Sequence, residues 1–154
     1  MCGIFGYLAL ENDAVQTQDS AIRAMEAARH RGPDARVARK INQRLIMAHA
    51  RLSILDLGEQ SNQPFDYGNI SLVFNGEIYN YREIKKELLD LGYTFKSDSD
   101  TEVILKSYLA WGTSGFSKFR GMFAFGLVDF KAQCLHLCRD RLGVKPLFYY
   151  RKGP

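Results

Sequence analysis

The sequence predicts an α+β fold, mostly antiparallel sheet with helices packed outside it. Helical segments are few and stand between groups of strand-like segments. The strict β-α-β alternation of a doubly wound parallel sheet is absent. The chain has 154 residues, 46% of them hydrophobic and 25% charged. That is enough for one domain with a sizeable core and too few for two ordinary ones.

Six segments rich in β-branched and aromatic residues read as strands: Gly3–Leu8, Leu45–Leu52, Ile70–Phe74, Met122–Asp129, Cys134–Arg139 and Leu147–Tyr150. Three segments read as helices. Asp19–Ala28 carries Ile22 and Met25 three residues apart. Arg82–Leu91 places Ile84, Leu88 and Leu91 on one face and stops at Gly92. Asp100–Trp111 begins in a run of good helix caps, Ser97-Asp98-Ser99-Asp100, and stops at Gly112. Between them, Ser53–Asn69 holds Gly58, Pro64 and Gly68 and reads as a long loop, a feature often tied to function.

Composition narrows the function. The net charge is +4 and the pI about 9.0, so nucleic-acid binding has to be weighed. The basic residues are scattered rather than clustered, which favours a solvated surface and no nucleic-acid partner. Three cysteines, Cys2, Cys134 and Cys138, make an odd count that argues against a disulfide framework. No apolar run approaches a membrane span, and residues Met1 to Leu10 lack the pattern of a secretory signal. A cytoplasmic protein without a membrane partner is expected.

Cys2 is the first chemical candidate. Removal of Met1 would leave a cysteine with a free α-amine. Such an amine titrates near ~8 and can accept the thiol proton, so nucleophile and base belong to one residue. The plain alternative is a cysteine that happens to follow the initiator. Asn75-Gly76 is the second candidate. Between apolar runs this pair is a strong hairpin signal. Its amide and N–H could equally converge on a developing oxyanion. Arg51 is either a surface arginine at a strand end or a guanidinium fork for a carboxylate. Asp100 is either a helix N-cap or an anion for a substrate ammonium. Glu77 could line the same region. Cys134-x-His136-x-Cys138 suggests a metal, but on a strand the two cysteines would lie ~13 Å apart. It reads as a half-buried strand, with no metal site.

Taken in order, these segments resemble the N-terminal glutaminase domain of class II glutamine amidotransferases, and within them the glutamine-hydrolysing asparagine synthetases. The matching stretches are Met1–Gly6, Arg29–Asp34, Arg51–Asp56, Gln63-Pro64, Asn75–Asn80, Ser99–Ile104, Arg120–Phe125 and Arg139–Leu147. The resemblance covers nearly the whole chain. It implies a four-layer αββα sandwich of mostly antiparallel sheets, the N-terminal-nucleophile hydrolase fold. It implies Cys2 as nucleophile and Asn75 with Gly76 as oxyanion hole. Arg51 would bind the α-carboxylate of L-glutamine and Asp100 its α-amine, with Glu77 in the same pocket.

The whole of residues 1–154 is then one glutamine amidotransferase domain, shortened at its C-terminal end relative to the family. A synthetase domain would use the ammonia, and ATP and Mg²⁺ would belong to that domain. No cofactor is implied for residues 1–154. The acceptor is aspartate by default, and a homodimer is left open. The competing reading is a non-catalytic regulatory or interaction remnant of an amidotransferase.

Overall fold

A computed structural model describes residues 2–9, 18–27, 29–32, 34–51 and 63–151. The strands are β1 (Gly3–Leu8), β2 (Ala35–Lys40), β3 (Leu45–Arg51), β4 (Phe65–Tyr67), β5 (Ile70–Ile78), β6 (Gly121–Asp129) and β7 (Cys134–Arg139). The helices are α1 (Gln18–Ala27), α2 (Tyr81–Asp90) and α3 (Asp100–Trp111), with 3-10 turns at Arg29–Arg31 and Gly112–Lys118. One sheet has the order β1-β3-β2 and the other β4-β5-β6-β7. Every pairing in both is antiparallel.

The alternation of side chains along each strand sorts the core into layers. On β3, Ile46, Ala48 and Ala50 point outward and pack with Ala21 and Met25 of α1. Leu45 and Met47 point the other way and meet Val73 of β5 and Val128 of β6. The opposite face of the second sheet, with Leu72, Phe74, Phe123, Phe125 and Leu127, packs against Ile84 and Leu88 of α2 and Ile104 of α3. The order is therefore helix, sheet, sheet, helices, the four-layer αββα sandwich expected from the resemblance. β3 is buried along its whole length, because it is the middle strand of its sheet and lies between two layers.

The cluster between the sheets also fixes their relative direction. Leu45, Leu8 and Ile41 share it with Phe130, which follows the last residue of β6. Asp129 pairs with Ile70, so the start of β5 lies there too. The start of β3 therefore lies near the start of β5, and the ends of the two strands lie together at the other end of the sandwich.

Several expectations are corrected. Asn75-Gly76 is not a hairpin turn. Both residues sit inside β5, opposite Ala124 and Phe123 of β6. A turn preference is local, and here it yields to nine consecutive pairings across the sheet. Leu147–Tyr150 is not a strand but irregular chain. Its aromatic rings have no sheet to lie on among the described residues, and Phe148 is 90% exposed. Ile22 faces solvent; the buried pair on α1 is Ala21 and Met25, spaced i and i+4. Of the expected loop Ser53–Asn69, residues 53–62 lie outside the described residues, and the rest contains β4. Cys134–Arg139 is the half-buried strand expected.

Two polar knots complete the frame. Ser99, rather than Asp100, caps α3 and accepts from the Glu102 N–H at 3.3 Å. The buried Glu102 carboxylate reaches back to the Lys96 N–H, the Ser97 N–H and the Ser97 hydroxyl. This is a variant of the capping box, reaching further upstream than usual. At the end of β7, the Asp140 carboxylate accepts from Phe123 N–H at 3.2 Å, Val144 N–H at 2.9 Å and Lys145 N–H at 2.9 Å. Burial alone would raise the Asp140 pKa, but these donors outweigh it and hold the carboxyl below the usual range. Arg141 extends the knot to the carbonyls of Phe119 and Ser117.

Glu102 is buried and answers three part-buried donors, so its removal takes the acceptor from the Lys96 and Ser97 N–H groups. Glu102→Ala is expected to lose about 2–4 kcal/mol of stability, and Glu102→Gln clearly less. Urea denaturation of the three proteins measures this. A loss below roughly 0.5 kcal/mol in the alanine variant would contradict the assignment.

Candidate active site

The candidate residues are brought together by strand register. β1 pairs with β3 through Gly3↔Ala50 and Ile4↔His49. One residue further, the same register sets Cys2 beside Arg51, the last residue of β3. Ile4 lies in the cluster between the sheets. By alternation Cys2, His49 and Arg51 therefore face the second sheet. Arg51 is 8% exposed, so it is not the surface arginine that its position at a strand end allowed.

The neighbouring backbone locks this corner. The Arg31 side chain donates to the Cys2 carbonyl at 3.4 Å, and the Asp34 N–H donates to the Arg51 carbonyl at 3.1 Å. Gly32 lies against β3 so closely that a Cβ would stand 2.3 Å from the Ala50 carbonyl carbon. Only glycine permits that approach. Arg31, Gly32 and Asp34 thus clamp the ends of β1 and β3.

β5 supplies the other half. Val73 faces the first sheet, so Asn75 and Glu77 do as well, two and four residues on. Asn75 is 4% exposed. Gly76 has φ 144°, and a Cβ there would fall 2.1 Å from the Met122 carbonyl oxygen. Phe123, opposite Gly76, turns its own N–H and carbonyl towards Asp140 on the far side. The Gly76↔Phe123 pair is therefore a non-hydrogen-bonded one, and the Gly76 N–H points away from β6. That is the side on which β4 has already ended, since β4 pairs only as far as Phe65↔Leu72.

Asp100 is tied to the same strand. Its Oδ2 accepts from the Ile78 N–H at 3.0 Å, at the end of β5. Burial pushes the Asp100 pKa up to about 6, and the nearby Glu77 charge adds to this. Hydrogen bonds from Ile78 and Thr101 work in the opposite direction without cancelling it. A buried carboxylate beside a second acidic residue is a place that favours a cation.

His49 is a residue that the sequence reading passed over. It is 3% exposed and lies two places before Arg51, on the same face of β3. Burial, with the Arg51 charge beside it, pushes its pKa down to about 4, so the ring is neutral. A bond to the Phe74 backbone acts against this shift. The signal available in the sequence was its spacing from Arg51 on a strand. Gln63 was noticed only as part of a motif. Its Oε1 accepts from the Phe74 N–H at 2.5 Å, and its amide lies 3.4 Å from the Thr101 hydroxyl.

The structure thus gathers Cys2, Arg51, Asn75, Gly76 and Glu77 at one end of the sandwich, with Asp100 joined to them through Ile78. Cys134 and His136 stand apart on the outer face of β7. There they form a cluster with Tyr108, the Cys134 sulfur 3.1 Å from His136 Nε2.

A four-layer sandwich with a cysteine at the start of its first strand defines the N-terminal-nucleophile class of fold. The solved glutamine phosphoribosylpyrophosphate amidotransferase from B. subtilis, in complex with ADP and GMP, shares it. Its TM-score is 0.66 at 19% identity, over 82% of this chain and 35% of that one. The glutamine amidotransferase domain family matches residues 1–154, and the chain belongs to that family. It is 36% identical to asparagine synthetase [glutamine-hydrolyzing] 3 of Bacillus subtilis, over 99% of this chain and 25% of that protein. It is 38% identical to amidase chry2 of Gibberella zeae, over 97% of this chain and 24% of that protein. The chain spans about a quarter of the length of these curated relatives. No helix among the described residues is long and apolar enough to cross a membrane.

The raised pKa of Asp100 has a consequence for stability. Its folded value, about 6, exceeds the ordinary 3.8. The favourable protonated form is thus fully present below the unfolded pKa and lost as pH rises through 6. Between pH 4 and pH 7 the protein is expected to lose about 2 kcal/mol from this group. Asp100→Asn, which keeps an acceptor for Ile78, should remove that part of the pH dependence. Denaturation at both pH values checks it; an unchanged pH slope in the variant would contradict the burial argument.

Proposed function

We propose that the chain hydrolyses L-glutamine to glutamate and ammonia, with Cys2 as nucleophile after Met1 is removed. The observation that supports this most is the meeting of the two strand ends. Register sets Cys2 beside Arg51, and the layer order brings Asn75 and Gly76 to the same corner.

The roles follow from the chemistry of each group. Arg51 binds the α-carboxylate of glutamine through its planar fork. Asp100 binds the α-ammonium, and the incoming cation offsets the cost of its buried charge. Glu77 lines the same end of the pocket. The side-chain amide then lies towards Cys2. The Cys2 thiol gives its proton to its own α-amine, and the thiolate sulfur bonds to the amide carbon. The electron pair of the C=O moves to oxygen. The Asn75 side-chain amide and the Gly76 N–H donate to that oxyanion. The protonated α-amine returns its proton to the leaving nitrogen, the C–N bond breaks, and ammonia departs. Water, deprotonated by the same amine, adds to the γ-glutamyl thioester. The C–S bond breaks and the thiol is restored as glutamate leaves.

The ammonia would supply an ATP-dependent amidation in a longer protein. Asparagine synthesis is the acceptor chemistry favoured by the relatives' names, with aspartate as acceptor. ATP and Mg²⁺ would then be held by a synthetase portion outside these residues.

Purified protein whose intact mass shows loss of Met1 should release ammonia from L-glutamine, and Cys2→Ala should reduce that release by at least ~10³-fold. Equal ammonia release by the two proteins would sink the assignment of Cys2. Glutamine that neither binds nor turns over on the processed chain would favour the non-catalytic reading instead.

A further inference from the structure

The hairpin of β6 and β7 gathers four side chains that glutamine hydrolysis does not use. Asp129 ends β6 and pairs with Cys134, which begins β7. His136 follows Cys134 by two residues and shares its face of the strand. Tyr108 reaches the same face from α3. Asp129 also pairs with Ile70, at the start of β5, whereas Gly76 lies near its end. At ~3.3 Å per residue the cluster is therefore ~20 Å from the candidate active site.

The contacts form a chain. The Tyr108 hydroxyl donates to Asp129 Oδ2 at 3.0 Å. Asp129 Oδ1 accepts from the Lys131 and Ala132 N–H groups, each at 2.9 Å. The Ala132 N–H, aided by Tyr108 and the Lys131 N–H, outweighs burial and holds the Asp129 carboxyl below the usual range. Burial, with Cys134 and Asp129 beside it, pushes the Tyr108 phenol up. The pair is thus a carboxylate and a protonated phenol. With its proton given to Asp129, the Tyr108 oxygen is left as an acceptor towards its other neighbours. His136 Nε2 lies 3.3 Å from it. The same Nε2 lies 3.1 Å from the Cys134 sulfur, which is 3.8 Å from the Tyr108 oxygen. Aromatic neighbours hold the imidazole in place, with ring centroids 5.2 Å away at Tyr108 and 6.1 Å away at Phe116.

A proton on Nε2 therefore faces two acceptors, the sulfur and the Tyr108 oxygen. An imidazole charged by that proton has the Asp129 carboxylate just beyond the Tyr108 hydroxyl. This setting suits an imidazole that takes a proton from a thiol. Cys134 is itself partly exposed. Cys138 provides an internal contrast. It lies on the same face four residues on, burial pushes its thiol up, and no imidazole is hydrogen-bonded to it among the described residues.

We propose that Cys134 and His136 form a second reactive centre, a thiol that small hydroperoxides oxidise. The Cys134 sulfur attacks one peroxide oxygen, so that an S–O bond forms and the O–O bond breaks. The thiol proton passes to His136 Nε2 and from there to the departing oxygen. With hydrogen peroxide the products are the Cys134 sulfenic acid and water. Sulfur gives up two electrons and the peroxide takes them. Cys138 stands ~13 Å along the strand, too far for a disulfide. The sulfenic acid is therefore resolved from outside, by a small thiol that forms a mixed disulfide and releases water. None of this depends on the glutaminase reading.

The test treats the whole, reduced chain with hydrogen peroxide and dimedone, which captures sulfenic acid. Peptide mass spectrometry then reads the adduct at each cysteine over time. Cys134 should gain it at least ~10-fold faster than Cys138. His136→Phe keeps a ring beside Tyr108 and Phe116. It should slow Cys134 by at least ~10-fold and leave Cys138 unchanged. His136→Gln serves if the phenylalanine variant does not fold. Tyr108→Phe removes only the hydroxyl and should slow Cys134 less, by about 2- to 5-fold. Equal rates at Cys134 and Cys138 would overturn the proposal. Greater exposure alone would favour Cys134 without any dependence on His136. A Cys134 rate that is the same with and without His136 would therefore overturn it as well.

Discussion

β4 pairs with β5 over only three residues, and the candidate site depends on how the backbone groups further along that edge are answered. An unpaired strand edge is normally covered or blunted, because its backbone groups invite pairing with another chain. Here the groups are answered one at a time. A glutamine side chain takes the Phe74 N–H, and an aspartate takes the Ile78 N–H. Gly76 lies between them with its N–H turned to the same side. Among the described residues the edge is thus answered on both flanks of Gly76.

Each anchor that closes the edge comes from another layer. Asp100 begins α3, and its placement depends on the cap at Ser99 and on Glu102 below it. Phe123, across from Gly76, is held from the other side by Asp140. The Gly76 conformation suits only glycine, because the Met122 carbonyl occupies the space of a side chain. The charges follow the same plan. His49 is kept neutral by burial and by Arg51, and Arg51 with Arg31 makes the first sheet's end cationic. Asp100 and Glu77 make the opposite corner acidic.

Much of this was legible in the sequence, for reasons that can be stated. β1 was read to the residue because it is a short run with branched and aromatic side chains, and β7 because its two leucines alternate with its other residues at the period of a strand. α3 was read from its cap cluster and its terminal Gly112. β2 was missed because Ala35-Arg-Val-Ala-Arg-Lys40 is an edge strand with charged residues on it, and such a strand looks like surface. β4 has only three residues and no apolar run. Asn75-Gly76 was given the wrong local shape. Its turn preference is real but short-range, whereas the pairing with β6 that overrides it is long-range and invisible in a single segment. His49 was overlooked because nothing local marks it. Its burial beside Arg51 follows only from the packing of β3 against the second sheet.

The central claim is that one end of the sandwich binds the two charged groups of glutamine while presenting its amide to Cys2. The most direct measurement is an NMR titration of a processed Cys2→Ser variant with L-glutamine, observing backbone and side-chain N–H signals. The account predicts saturable shifts at the Gly76 amide, the Asn75 side-chain amide and the Arg51 guanidinium, with those of β7 unmoved. Shifts confined to other surfaces, or equal shifts with D-glutamine, would contradict it.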